Sequence, residues 1–177
     1  MPYAFFHIVF GWLFGKLFEF SSSKKLNRFE WFLVIFGSIL PDIDYLMEWT
    51  FGFRFHRLFT HSLLMLLLVF ILSYLVFKFF NTFKDKNALK YSVLLTLGVF
   101  AHLLLDFAVS PIAGIPLLWP NTNFYGLFTG VQSYSQMMSI DYTAPILFMK
   151  LKLAILDMGV GVTWIFYLLY SGKIKKF

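Results

Sequence analysis

The chain has 177 residues, of which 59% are hydrophobic and 22% aromatic but only 14% charged, and its mean hydropathy is +0.74. Soluble domains average about 45–50% apolar and about 25% charged residues, so a soluble core is excluded and one integral-membrane domain over residues 1–177 is expected. The net charge of +6 does not mark a nucleic-acid binder, because the bases punctuate apolar runs instead of gathering on one polar segment, and the lack of cysteine excludes disulfides, thiolate zinc sites and a Cys nucleophile.

Five apolar segments, 4–20, 29–47, 62–80, 88–109 and 148–171, each approach the ~20 residues that cross a bilayer as a helix. The expected fold class is therefore all-α, a polytopic transmembrane helical bundle of about five spans. The first segment carries His7 and a Gly11-x-x-x-Gly15 pair that permits close helix packing. It shows neither a basic n-region nor an A-x-A site, so no cleaved signal peptide is expected. The link 21–28 holds Lys24, Lys25 and Arg28. The second segment closes on "GSILPDID", which places Asp42 and Asp44 just after Pro41.

His56, Arg57 and His61 lead into the third segment, with Thr60 or Ser62 as the expected N-cap. The link that follows, 78–90, holds Lys78, Lys84, Lys86 and Lys90, and the fourth segment carries His102 and Asp106 toward its far end. A long link, 107–147, is rich in Pro, Gly and aromatics, including Trp119 and Tyr125. Links of this length are usually functional or flexible. The fifth segment carries Asp157, and the tail holds Lys173, Lys175 and Lys176. Ten of the fifteen Lys and Arg thus lie at alternate connections, which the positive-inside rule assigns to the cytoplasm. The N-terminus is expected outside and the C-terminus in the cytoplasm, with all four histidines and Asp42, Asp44, Asp106 and Asp157 in one outer layer.

Ionisable groups within membrane segments are costly and are functional candidates by default. Taken singly, each has a plain reading: His7 as a helix–helix hydrogen bond, Asp42 or Asp44 as a helix cap, Asp157 as an ion pair with Lys152. A shared layer argues for more. His102 and Asp106, four apart, share a helix face and can grip one ion. Imidazole with carboxylate is the ligand set of zinc and related divalent ions. Asp42-x-Asp44 cannot face one way on a regular helix; beside Pro41 the pair can serve two metals, or one metal and a supporting histidine. Six to eight candidate ligands exceed the needs of one tetrahedral ion, so one or two divalent ions, zinc first, are expected.

The order "GSILPDID" (Gly37 to Asp44), "HRLFTHS" (His56 to Ser62), "HLLLD" (His102 to Asp106) and "PLLWP" (Pro116 to Pro120), with His7 ahead of it, resembles the YdjM-type family of membrane-bound predicted metal-dependent hydrolases. The resemblance runs from His7 to about Pro120 and departs at Leu58, where the family has Gly after H-R. It implies a multi-pass inner-membrane protein with a divalent metal. On this reading His7, Asp42, Asp44, His61, His102 and Asp106 hold metal, while His56, Arg57 and Asp44 take catalytic roles: His56 is a ligand or proton shuttle and Arg57 meets a phosphate. Partners are then membrane lipids and a lipid or lipid-linked substrate, with no nucleic acid. No G-x-S-x-G, H-E-x-x-H or G-x-x-x-x-G-K-[ST] motif is present, so an esterase serine or a nucleotide-driven pump has no support. A divalent-metal transporter using the same residues is the alternative.

Overall fold

A backbone in lipid must satisfy its own polar groups, so apolar runs of this length become helices. The computed structural model describes residues 3–51, 59–79, 85–109, 113–138 and 143–173. Among them α1 spans Ala4–Ser22, α2 Arg28–Ile39, α3 Asp44–Phe51, α4 Leu63–Phe79, α5 Asp85–Val109, α6 Tyr134–Met138 and α7 Ala144–Tyr170. The expected all-α class holds. Two three-residue strands, β1 Phe124–Gly126 and β2 Gly130–Gln132, pair antiparallel with Tyr125 opposite Val131.

The spans are less uniform than five equal hydrophobic segments suggest. Helices α1, α5 and α7 are long and apolar enough to cross a bilayer, whereas α4 has 17 residues, or about 25 Å at ~1.5 Å per residue. The second expected span is not one helix. Helix α2 stops at Ile39, the chain tightens into a 3-10 turn over Leu40–Ile43, and α3 follows. Pro41 lies at the start of that turn and has no N–H to continue the α-helical ladder.

Helix α5 is the central post, packed on α1, α2 and α4. Its Leu94, Leu95, Val99 and Leu103 are buried with Trp31, Leu33 and Val34 of α2 and Val69 of α4. Lipid-immersed helices gain little from excluding water and rely on close van der Waals contact between small residues. Gly37 and Gly98 supply that contact. A Cβ on Gly37 would collide with the Leu95 carbonyl oxygen, and one on Gly98 with the Val34 carbonyl. Gly11 and Gly15 do the same for α1, lying against Ser38 and the Trp31 ring, which bears out their reading as packing residues. Helix α7 docks on α1, with Phe5 over Gly161 and Trp12 edge-on to Trp164 and Tyr167.

The two ends of the bundle differ. At one end Asn27 and Glu30 form a capping box at the start of α2. Glu30 is buried and also pairs with Lys90 of α5 at 2.5 Å. At the other end the long link closes over the helices. Ile115 and Tyr125 exchange both backbone hydrogen bonds at 2.9 and 2.8 Å, Leu127 N–H donates to the Phe107 carbonyl at 2.8 Å, and Leu63 N–H donates to the Leu117 carbonyl at 3.0 Å. The described part of that link is thus a tied cap.

Alanine favours a helix over glycine by ~1 kcal/mol, while forcing a methyl into a close-packed crossing typically costs about 1–3 kcal/mol. Gly98→Ala should therefore lower the thermal unfolding midpoint in detergent. Gly159→Ala on α7, where nothing lies within 4 Å of the added methyl, should leave it unchanged or raise it. Equal effects at the two positions would contradict the close α2–α5 crossing.

Candidate metal centre

The capped end of the bundle gathers the ionisable side chains. His7 comes from the second turn of α1, Asp42 from the 3-10 turn, His61 from a 3-10 turn over Phe59–His61, and His102 and Asp106 from the last turns of α5. His7, His61, His102 and Asp106 are at most 1% exposed, and the Asp42 side chain is 22% exposed. Two groups of three have ligand atoms all within 4.8 Å of one another: His7, His102 and Asp106, and Asp42, His61 and His102.

Local structure explains each placement. The i,i+4 spacing sets His102 Nε2 3.9 Å from Asp106 Oδ2. The 3-10 turn brings Asp42 Oδ1 to 3.5 Å from His61 Nε2 and 3.6 Å from His102 Nε2. Asp106 Oδ2 lies 3.4 Å from His61 Nε2, and its Oδ1 lies 3.6 Å from His7 Nε2. The His7 ring stacks on His102 with centroids 3.7 Å apart and planes 14° apart.

The decisive feature is the approach of His61 Nε2 to His102 Nε2 at 3.2 Å. His102 Nδ1 lies 2.8 Å from the Ser38 carbonyl oxygen, which only accepts, so Nδ1 carries a proton and in the neutral ring Nε2 holds the lone pair. Thr60 donates its hydroxyl proton to Asp44 Oδ2, and His61 Nδ1 lies 3.0 Å from the Thr60 oxygen. With the Thr60 proton committed, His61 Nδ1–H donates, and in the neutral ring Nε2 again holds the lone pair. Two lone pairs thus face each other beside carboxylates that burial disfavours. Asp42 Oδ1 is buried and has no hydrogen-bond partner among the described residues. A cation at this convergence satisfies all of these atoms, and imidazole with carboxylate suits a divalent metal. The donor set fits.

Asp44 lies behind His61, with Oδ2 3.6 Å from Nδ1, and belongs to neither group of three. The DxD motif therefore splits, with Asp42 on the Nε2 side of His61 and Asp44 on the Nδ1 side. His56 and Arg57 lie outside the described residues. Ser62, whose oxygen accepts from Met65 N–H at 3.2 Å, caps α4, which frees Thr60 for its bridge between Asp44 and His61. Asp157 does not reach the histidines; it accepts from the Phe5 and Phe6 N–H groups of α1. Lys152 lies instead over the Phe148 ring, 4.7 Å from its centroid. The supporting role of Thr60 is readable from its place beside His61 once the cap is assigned to Ser62. The Ser38 carbonyl has no sequence signal, because every residue carries one.

The family model described as YdjM inner membrane protein matches residues 1–175. No curated protein and no solved structure matches the chain.

Groups that orient a ligating histidine typically carry 10–100-fold in metal affinity. Thr60→Val, which deletes the bridging hydroxyl at nearly constant volume, should weaken zinc retention by about that factor in a chelator competition. Ser38→Ala should leave it unchanged, because only the backbone oxygen of Ser38 meets His102. A Thr60→Val protein with wild-type affinity would remove Thr60 and Asp44 from the centre.

Proposed function

The chain belongs to the YdjM inner membrane protein family, and on that premise we propose that it is a membrane-embedded, metal-dependent hydrolase acting on an ester or phosphoester of a lipid or lipid-linked molecule. The observation that carries the reading is the convergence of His61 and His102 Nε2 with the Asp42 and Asp106 carboxylates in a buried layer at one end of the bundle. Asp42, His61, His102 and Asp106 would hold the ion, zinc first, with His7 completing the set. His102 offers only Nε2, so the two overlapping groups describe one centre better than two separate ones. A divalent ion supplies Lewis acidity and makes water a nucleophile near neutral pH, with no protein nucleophile required.

The chain's own groups do the rest. The Ser38 carbonyl and the Thr60–Asp44 pair hold the two imidazoles in one tautomer. Asp42, the most exposed of the ligand candidates, marks the side from which substrate and water enter. His56 and Arg57 belong to the segment leading into the His61 turn; His56 would carry protons and Arg57 would meet a phosphate. The gathering of His7, His61 and His102 with Asp42, Asp44 and Asp106 at one end supports an enzyme over a conduit. At the opposite end Glu30 is committed to Lys90 and the α2 cap, and Glu19 to Lys16 and the Leu26 N–H. The lysine pattern supports a cytoplasmic location for that end, and the metal centre would then sit toward the outer leaflet.

Two measurements test this. The chain has no cysteine, so single cysteines at Ser22 and Asn121 give clean labelling. A membrane-impermeant reagent on intact cells should modify only the second, and modification at Ser22 would place the site on the cytoplasmic side. Purified zinc-loaded protein should hydrolyse at least one member of a panel of phospholipids and lipid-linked phosphates. Activity should fall below detection after metal stripping and by ~100-fold or more in Asp42→Asn, since proper placement of one catalytic group can carry that factor. Zinc flux into proteoliposomes with no turnover on any lipid would establish the transporter alternative.

A further inference from the structure

Asp157 is a buried carboxylate in the middle of an apolar span, and the chemistry above does not use it. It lies on α7 and is 3% exposed. It accepts Phe6 N–H at 2.7 Å on Oδ1 and Phe5 N–H at 3.3 Å on Oδ2. The first N–H groups of any helix lack intrahelical partners, and the helix dipole makes that end positive. A residue at the N-cap normally supplies the acceptor. In α1 the N-cap is Tyr3, whose side chain makes no capping bond. The carboxylate that takes its place comes from more than 150 residues further along the chain. Two more contacts seat the same turn on α7: the Phe5 ring over Gly161 and the Tyr3 hydroxyl donating to the Lys150 carbonyl at 3.2 Å.

His7 follows Phe6 directly. Its ring stacks on His102, and its Nε2 faces Asp106. A first turn that frays or rotates by one residue would swing His7 by about 100° around the helix axis. We infer that Asp157 is a positioning residue of the metal centre, capping the first turn of α1 from α7 and thereby holding His7 against His102 and Asp106. This inference rests on the metal-centre reading above and adds α7 to it. The residue touches no ligand atom, so its effect on the ion passes through His7.

The test uses full-length protein in detergent micelles with zinc as the probe, and reads zinc affinity together with amide hydrogen exchange over the first turn of α1. Asp157→Ala should deprotect that turn and weaken zinc binding by ~10-fold, the lower end of the range for a group that orients a ligand. Tyr3→Asp combined with Asp157→Ala returns a capping carboxylate to the helix and should recover most of both losses. In a His7→Ala background, Asp157→Ala should change zinc affinity by less than about 2-fold, as expected of two residues acting through one contact. Wild-type affinity in Asp157→Ala would overturn the inference, as would failure of the Tyr3→Asp rescue or a full ~10-fold loss persisting without His7. If Asp157→Ala fails to fold, Asp157→Leu, which removes both acceptors at closer to the native volume, is read by the same three criteria. If wild-type protein holds no zinc, the metal reading falls, and first-turn exchange alone decides whether Asp157 is the cap.

Discussion

The crossing of α2 over α5 governs this molecule. Gly37 and Gly98 let two backbones touch where any side chain would hold them apart, and the contact lies one residue from Ser38 and one helical turn from His102. Ser38 can reach the imidazole with its carbonyl only because the helices are that close. That bond selects the tautomer, turns Nε2 toward His61, and so decides where a cation can sit. Neither glycine can take a side chain without its Cβ meeting a backbone carbonyl of the other helix, so close packing fixes the spacing at the crossing. Rigidity of this kind is what a centre built from several helices needs, since ligands on separate elements are only as well placed as the elements are.

The break after α2 has a complementary role. On a continuous α-helix Asp42 and Asp44 would project about 200° apart. The 3-10 turn lets them straddle one imidazole instead, Asp42 near Nε2 and Asp44 near Nδ1 by way of Thr60. One short motif thereby supplies a candidate ligand, Asp42, and the anchor of another, His61. The cap formed by the long link fixes the remaining side. Its hairpin is bonded to the end of α5, Leu117 meets the first residue of α4, and Trp119 packs edge-on to Phe59 beside the His61 turn.

Much of this was legible in the amino-acid order. Apolar runs of membrane length announced helices, and the i,i+4 pair His102 and Asp106 and the approach of His61, His7 and Asp42 followed from placing the polar residues on those helices. The lysine pattern also located the opposite end of the bundle, where Lys90 meets Glu30. What resisted reading has physical causes. Mean hydropathy does not distinguish a straight span from one broken at Pro41, because an average over a window carries no information on backbone direction. A backbone acceptor such as the Ser38 carbonyl leaves no trace in side-chain chemistry. The role of Asp157 was hidden because its partners are main-chain N–H groups far away in the chain, and a nearby Lys152 offered a simpler pairing that five-residue spacing on a helix does not favour.

The contacts that define the centre share one property. Thr60 and Asp44 are 16 residues apart, His102 and His61 41, His102 and Ser38 64, and Phe6 and Asp157 151. Apart from the i,i+4 pair on α5 and the Thr60–His61 contact within one 3-10 turn, these contacts join elements well separated in the chain. The turn pair around Asp42, Asp44 and His61 and the His102–Asp106 pair of α5 are only parts of the site, and joining them means closing long loops whose entropic cost is recovered only when the partners arrive together. The complete candidate ligand set comes into being only with the tertiary structure, so an ion held there would report that the whole topology has closed.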